Sequence, residues 1–495
     1  MPERRTKVAV IGAGLGGLSA AISLATEGFN VEIYEKNDKV GGKLNYLETQ
    51  QFKFDLGPSI LTLPHFFENL FKRLGKDMKD YFEIETVSPH WRCFFEDETI
   101  IDLFKDVKDI LDLNAKVFPQ DLDELNDFLV YSKKIYEFAD KAYFEDGSDN
   151  LMELIKNYGL FRSLRDSHFQ STVHKGVAKY ISNPYLIDIF DFFIKYVGSS
   201  AYDAPAVLNL MPHVQFEYDL WYVKGGMYNI AKGFEKLLTE LGVKIHLDSE
   251  VVNITKEGDL VNGVVLNNGL SVPADIVVSN SEFVPTYKNL LKEDEKSLKS
   301  YDRFEPSCSG LVLHLGVSKK YEQLRHHNFF FANDQKKHFD TVFKKKLLPD
   351  DPTIYLVAAG RTDATVAPSG CDNIKVLPHI PYIQDEPYTF NDYLQLKEKI
   401  YDKLERMGLT DLRKHLLVEI MWTPEDIQQR YYSNRGSIYG VVSDKRKNMG
   451  FKGSKKSDRY RNLYFVGGSV NPGGGMPMVV LSGQQVRDKI LEENK

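Results

Sequence analysis

Apolar positions at the start of the chain fall into two short runs separated by a glycine-rich turn. Val8-Ala9-Val10-Ile11 is continuous rather than alternating and too short for a helix, the pattern of a parallel strand buried on both faces. Gly12 to Gly17 form the turn. Leu18 to Glu27 read as a helix that Gly28 stops, and Val31-Glu32-Ile33-Tyr34 as the next strand. Residues 66–214 have a different rhythm, with leucines and aromatics at helical spacing among acidic and basic residues; Asp121 to Lys141 is one such helix. The first rhythm returns near Trp221. A helix over Asn229 to Leu241 runs through Gly242 into Val243-Lys244-Ile245-His246-Leu247 and then Val251-Val252-Asn253-Ile254. Asn267-Asn268-Gly269 predicts a hairpin turn, and Ala274-Asp275-Ile276-Val277-Val278 another buried strand. Residues 286–454 mix strand-like runs (Gly310 to Leu315, Thr353 to Val357) with helical ones. A basic loop, Lys452 to Arg461, is expected to be a solvated connection before the last strand, Leu463-Tyr464-Phe465-Val466.

This order predicts an α/β fold of two interleaved domains. Residues 1–65, 215–285 and 455–495 would form a doubly wound parallel sheet, and residues 66–214 and 286–454 a mixed α+β domain that encloses substrate.

The turn Gly12-Ala13-Gly14-Leu15-Gly16-Gly17 matches the G-x-G-x-x-G fingerprint of dinucleotide binding. Gly12 permits the sharp turn, Gly14 lets the backbone approach a pyrophosphate, and Gly17 lets helix and strand pack closely. Phosphates then sit at a helix N-terminus, where unpaired amides and the helix dipole favour negative charge. Alone the motif is weak. Here it follows a strand, opens a helix, and is trailed by Glu35, with Lys36 beside it, at the end of the second strand, where a carboxylate takes ribose hydroxyls.

Three features favour FAD over a nicotinamide cofactor. Gly41-Gly42-Lys43 can run alongside the phosphates. Phe54-Asp55-Leu56-Gly57-Pro58-Ser59 follows. Gly467-Gly468-Ser469-Val470-Asn471-Pro472-Gly473-Gly474-Gly475-Met476-Pro477 then leads into the last helix, whose N-terminus suits charge on a reduced flavin. No second glycine fingerprint follows a strand, so a nicotinamide site and the redox partner are not legible.

Composition adds exclusions. A formal charge of -7 over 495 residues argues against nucleic acid as a partner. Cys93, Cys308 and Cys371 are scattered and odd in number, which predicts neither a disulfide framework nor a zinc site and fits a reducing compartment. With structure beginning at Val8 and no apolar run of about 20 residues, the expected place is the cytoplasm or the inner membrane face. Phe 31 and Tyr 27 against Trp 3 suit either flat apolar binding surfaces or ordinary core packing.

These residues, with Leu220-Trp221-Tyr222-Val223-Lys224-Gly225-Gly226-Met227, resemble the bacterial carotenoid desaturase and oxidase family from end to end. Ile194-Lys195-Tyr196-Val197-Gly198-Ser199-Ser200, Tyr202 to Val207 and Val470-Asn471-Pro472 are similar to its diaponeurosporene (diapolycopene) oxygenase branch. The resemblance implies a glutathione-reductase-like FAD domain and oxidation of a terminal methyl on a linear thirty-carbon carotenoid to an aldehyde. It implies that Gly12, Gly14, Gly17, Glu35, Gly42, Lys43 and Val251 hold the ADP half of FAD, and that Gly468, Ser469 and Met476 lie near its ribityl and ring portions. Desaturases of the family carry Arg where Lys43 stands and Thr-His where Val470-Asn471 stand; the second departure is expected at the flavin face. Two alternatives stay open: a phytoene-type desaturase, and a non-catalytic isoprenoid-binding protein on the same scaffold.

No catalytic residue is assigned, because the flavin does the redox work. His326 and His327, adjacent in a strand, point to opposite faces and are not expected to share a metal. His90-Trp91-Arg92, Tyr196, Tyr202 and Trp221 are candidates for bordering a substrate tunnel, with ordinary packing as the alternative. A polyene would not leave lipid for water, at about 0.8 kcal/mol per buried carbon group, so the enzyme is expected to open onto the membrane surface. Pro184 to Ile194 is either an interfacial helix or a buried one.

Overall fold

The computed structural model describes residues 5–114, 117 and 122–493. Asp121, placed above at the start of a helix, lies outside them; the helix itself runs over Leu122–Ala139.

Five parallel strands form one sheet in the order Leu463–Phe465, Ile276–Ser279, Lys7–Ile11, Asn30–Tyr34 and Lys244–His246. Val8, Ala9 and Val10 are fully buried, as the continuous apolar run requires of a central strand. Strands from both ends and the middle of the chain thus meet in one layer. The first helix, Leu15–Thr26, lies against the last, Met476–Glu493. Their approach is close: Ser19 Oγ donates to the Val480 carbonyl at 2.6 Å, and a Cβ on Gly483 would stand 2.5 Å from the Ala20 nitrogen. An antiparallel sheet, Val251–Glu257, Leu260–Leu266 and Ser271–Pro273, accompanies this layer; the turn at Gly269 joins its last two strands as the hairpin signal requires.

The remaining segments build a mixed, eight-stranded sheet. Its main path is Leu416–Trp422, Val312–Val317, Asp372–Ile380, Ile354–Val357, His327–Phe330, Trp91–Phe94 and Ile100–Leu103, with Ser309–Gly310 beside Asp372–Ile380. Helices between residues 122 and 218 cover one face around Trp91, Phe193 and Phe329. Phe390–Arg406 covers the other around Leu313, Leu356 and Val376.

Two expectations are corrected and one open alternative is decided. Residues 84–103 lie inside a stretch read as helical, yet they form the strands Ile84–Thr86, Trp91–Phe94 and Ile100–Leu103. Trp91–Phe94 and Ile100–Leu103 pair with each other as a hairpin, but the outer partners, Trp221–Val223 for Ile84–Thr86 and His327–Phe330 for Trp91–Phe94, lie more than a hundred residues away, where local periodicity does not reach. The helix Pro184–Phe192 is buried rather than interfacial: Leu186, Ile189 and Phe190 are 0–1% exposed and pack into the helical core. The basic loop is not a solvated connection. Lys452 and Lys455 are buried, and Lys455 is ion-paired with Asp149.

Asp149 joins three parts of the chain. It also meets Lys489 Nζ at 3.3 Å, and its carbonyl accepts from Asn471 Nδ2 at 2.8 Å, tying the helical segment to the last strand and helix. Removing one partner of a buried pair leaves the other charge uncompensated. Asp149→Asn is therefore expected to lose about 3–5 kcal/mol of unfolding free energy in urea titration, a substantial part of an ordinary domain's margin of about 5–15 kcal/mol.

Candidate functional site

A cleft of about 2090 Å³, solvent at its mouth included, opens at the carboxyl ends of the parallel strands. Open α/β sheets bind ligands at that edge. The residue directly after three of the five strands contributes: Gly12 after Ile11, Glu35 after Tyr34, and Asn280 after Ser279. Gly467 and Gly468 follow the strand Leu463–Phe465 at one residue's remove. The mixed sheet supplies the facing wall through Val312, Tyr355, Lys375, Leu377 and Trp422.

Most of the residues singled out from the sequence line this cleft: Gly12, Gly14, Glu35, Lys36, Gly41, Gly42, Lys43, Gly57, Pro58, Ser59, Val251, Gly468 and Met476. Four stand behind the wall. Ala13 donates its amide to Glu35 Oε2 at 2.8 Å. Gly17 lets the helix begin, since a Cβ there would lie 2.1 Å from the Gly12 carbonyl oxygen. Gly16 faces Gly467, with 2.9 Å between its virtual Cβ and the Gly467 nitrogen. Ser469 is buried, its hydroxyl accepting from the Phe283 amide at 2.8 Å.

The helix Leu15–Thr26 begins at Gly14, which offers no side chain to cap it, and its first turn holds no acidic residue. Its leading amides are free to meet an anion, as a phosphate site requires. Glu35, 5% exposed, has both oxygens engaged: Oε2 by Ala13, and Oε1 by the Asn37 amide at 2.9 Å and by Asn37 Nδ2 at 2.8 Å. The carboxylate is thereby held at the strand end. Lys43 Nζ reaches Glu282 Oε1 at 3.2 Å and the Ser437 carbonyl at 3.1 Å, spanning the cleft.

Two lysines in the wall are fully buried yet differently served. Lys375 donates to the Gly57 carbonyl at 2.6 Å and to the Ser59 hydroxyl, and burial brings its pKa down to about 8, opposed by the Asp55 carboxylate. Lys195 has its Nζ 4.1–4.9 Å from the ring centres of Trp91, Tyr196, Phe329 and Tyr355, and burial pulls its pKa well below the ordinary lysine value.

Other candidates are placed elsewhere. Of the tunnel residues, Tyr196 lines the cleft and Trp91 lies one layer behind it. His90 is buried against Asp219 at 2.7 Å, Arg92 pairs with Asp102, Tyr202 packs on His174, and Trp221 Nε1 donates to the Tyr218 carbonyl. His326 and His327 take separate partners, Thr362 Oγ1 at 2.7 Å and the Tyr355 hydroxyl at 3.0 Å. Among the described residues no cluster of His, Cys, Asp or Glu is arranged to hold a metal. Val470 and Asn471, expected at the flavin face, are buried away from the cleft. Asn471 accepts from the Lys452 amide at 3.0 Å and donates to the Asp149 carbonyl, so its departure from the desaturase pattern is a packing change.

Sequence reasoning missed Asn280, Lys375, Tyr355, Trp422, Tyr431, Tyr432 and Tyr439. Asn280 alone carried a signal, its place directly after a buried parallel strand. The others come from the mixed sheet and the loops after it, whose register no local pattern encodes.

A glycine-cradled cleft at the strand ends, an uncapped helix N-terminus and a strand-end carboxylate define a dinucleotide-dependent oxidoreductase fold. An oxidoreductase from Methanosarcina mazei superposes with a TM-score of 0.63 at 15% identity, over 97% of this chain and 100% of its own. Residues 15–324 match the family described as flavin containing amine oxidoreductase, and the chain belongs to that family. FAD, the expected cofactor, agrees with it. The chain is 56% identical over 488 residues to the 4,4'-diapolycopene oxygenase of Methylomonas sp, covering 98% of both. It is 52% identical over 485 residues to the 4,4'-diaponeurosporene oxygenase of Staphylococcus haemolyticus, covering 98% of this chain and 97% of the relative.

Proposed function

We propose that the cleft holds FAD and that the enzyme oxidises the terminal methyl group of a linear thirty-carbon carotenoid to an aldehyde. The observation that carries the reading is the cleft itself. Glycine backbone and Glu35 line one end, while Tyr196, Tyr355, Leu377 and Tyr439 line another part without a nucleophile–base pair. Near-complete alignment with the two oxygenases supports the substrate class.

In this assignment Gly12, Gly14 and the helix N-terminus behind them receive the pyrophosphate, while Ala13, Gly16 and Gly17 shape the turn from behind the wall. Glu35 receives ribose hydroxyls, with Lys36, Gly41, Gly42, Lys43 and Val251 around the same half. Gly57, Pro58, Ser59, Gly468 and Met476 surround the other half, with Ser469 supporting Gly468 from behind. FAD, when bound, supplies two-electron redox chemistry. The protein's own contribution is orientation and exclusion of water: flat rings hold a rigid polyene, and Lys375 pins the Gly57–Ser59 backbone through its donated bonds.

A carotenoid is as well solvated by lipid tails as by an apolar tunnel, so the enzyme works at the membrane surface, peripheral on its inner face. No helix among the described residues is long and apolar enough to cross a membrane. With Pro184–Phe192 buried, the contact falls to the helices Leu151–Tyr158 and Leu160–Asp166. There Met152 is 79% and Phe161 91% exposed, beside Lys156, Arg162 and Arg165, a pairing of apolar and basic groups suited to anionic lipid.

Three outcomes test this reading. Glu35→Gln leaves one acceptor where two are used, so flavin binding is expected to weaken by about 1.5–3 kcal/mol, measured by fluorescence titration of apoprotein. Holoenzyme given a thirty-carbon carotene under labelled dioxygen, stopped within the first turnovers, is expected to yield an aldehyde carrying the label; an oxygen-free product with added double bonds points instead to desaturation. The double variant Met152→Asp, Phe161→Asp is expected to lose at least about tenfold in sedimentation with anionic vesicles, since each apolar side chain contributes about 1.5–3 kcal/mol when buried, while retaining its flavin.

A further inference from the structure

Lys195 is the buried group in this cleft that neither the cofactor assignment nor the packing of the domain accounts for. It is 4% exposed and follows the buried helix Pro184–Phe192, in the turn Phe193–Tyr196. Among the described residues its Nζ faces four aromatic rings and no carboxylate. The two hydroxyls of that cage are engaged elsewhere: the Tyr196 hydroxyl donates to Gln215 Oε1 at 3.0 Å, and the Tyr355 hydroxyl is bound to His327 Nδ1. Lys375, also fully buried, shows the contrast, because its amine is saturated by backbone carbonyls and a hydroxyl.

An unpaired amine buried among aromatic rings is a nucleophile, since burial disfavours its protonated form. Ring faces at 4–5 Å nevertheless stabilise a cation at the same point. One class of ligand satisfies both conditions: a carbonyl compound whose imine carries positive charge on the nitrogen and an apolar chain on the carbon.

We propose that Lys195 takes the aldehyde end of the polyene as a reversible Schiff base. The amine lone pair adds to the carbonyl carbon and a proton passes from nitrogen to oxygen; the hydroxyl then takes one proton from solvent at the cleft mouth and leaves as water while the C=N bond forms, so the nitrogen keeps its remaining proton and the positive charge; no oxidant or reductant is needed. The cationic imine stays within the ring cage, and the polyene continues along the cleft. Held in this form the carbon is not the hydrate from which dehydrogenation to an acid proceeds. The biological ligand rests on the methyl-oxidation reading; the site itself is open to any long polyene aldehyde.

The test uses flavin-loaded enzyme and all-trans-retinal, a polyene aldehyde that needs no prior oxidation. Cyanoborohydride reduces an imine to a stable secondary amine, which peptide mass spectrometry locates. The expected result is label concentrated on Lys195 in the wild type and lost in Lys195→Arg, which keeps a cation in the cage but forms no imine, and in Lys195→Met. The wild-type map is decisive even where a variant fails to fold. Label confined to exposed lysines such as Lys224 overturns the proposal. Carotene conversion is read on the same preparation: label on Lys195 without conversion removes only the methyl-oxidation reading, and conversion without label removes only the Schiff base.

Discussion

Backbone must meet backbone at the carboxyl ends of the parallel strands, and the rest of the molecule is arranged around that meeting. Asn280, one residue past the strand Ile276–Ser279, lies where Gly12, Gly14, Gly16, Gly17 and Gly467 converge. A Cβ on Gly14 would stand 2.6 Å from its Nδ2, and one on Gly16 2.5 Å from its Oδ1. A side chain at Gly16 or Gly17 would meet backbone, 2.9 Å from the Gly467 nitrogen and 2.1 Å from the Gly12 carbonyl oxygen, and force these segments apart; at Gly14 it would displace the Asn280 side chain. The carboxy-terminal glycines obey the same constraint: a Cβ on Gly474 would lie 2.7 Å from the Tyr439 carbonyl oxygen. Glycine there serves the packing of the protein on itself as much as the approach of a ligand.

That convergence explains why the two chain ends and the middle are inseparable. The last helix buries its Gly483 against the first, and Asp149 ties the helical segment to Lys455 and Lys489. The cleft is the space left between the parallel sheet, which offers amides and one carboxylate, and the mixed sheet with the helical segment over it, which together offer rings and two buried amines. Polar binding and apolar binding are thus divided between two layers, as a charged cofactor beside a hydrocarbon substrate requires.

Buried charge is handled in three ways within this chain. Lys455 has a carboxylate, Lys375 has carbonyls and a hydroxyl, and Lys195 has ring faces alone. Because an unpaired ionised group is costly inside protein, the third arrangement is informative in a way that the first two are not.

The amino-acid sequence by itself determined the parallel sheet, the glycine loop, Glu35 and the carboxy-terminal motif, because each depends on neighbours in the chain. Strand length, turn geometry and helix starts are local properties, and their periodicity survives in one dimension. The tertiary structure alone decided that residues 84–103 are strands, that Pro184–Phe192 faces inward, that Asn471 points away from the cleft, and that Lys195 and Lys375 enter it. Those outcomes depend on which distant segment lies opposite. An amphipathic or apolar run states that it will be buried, but not against what.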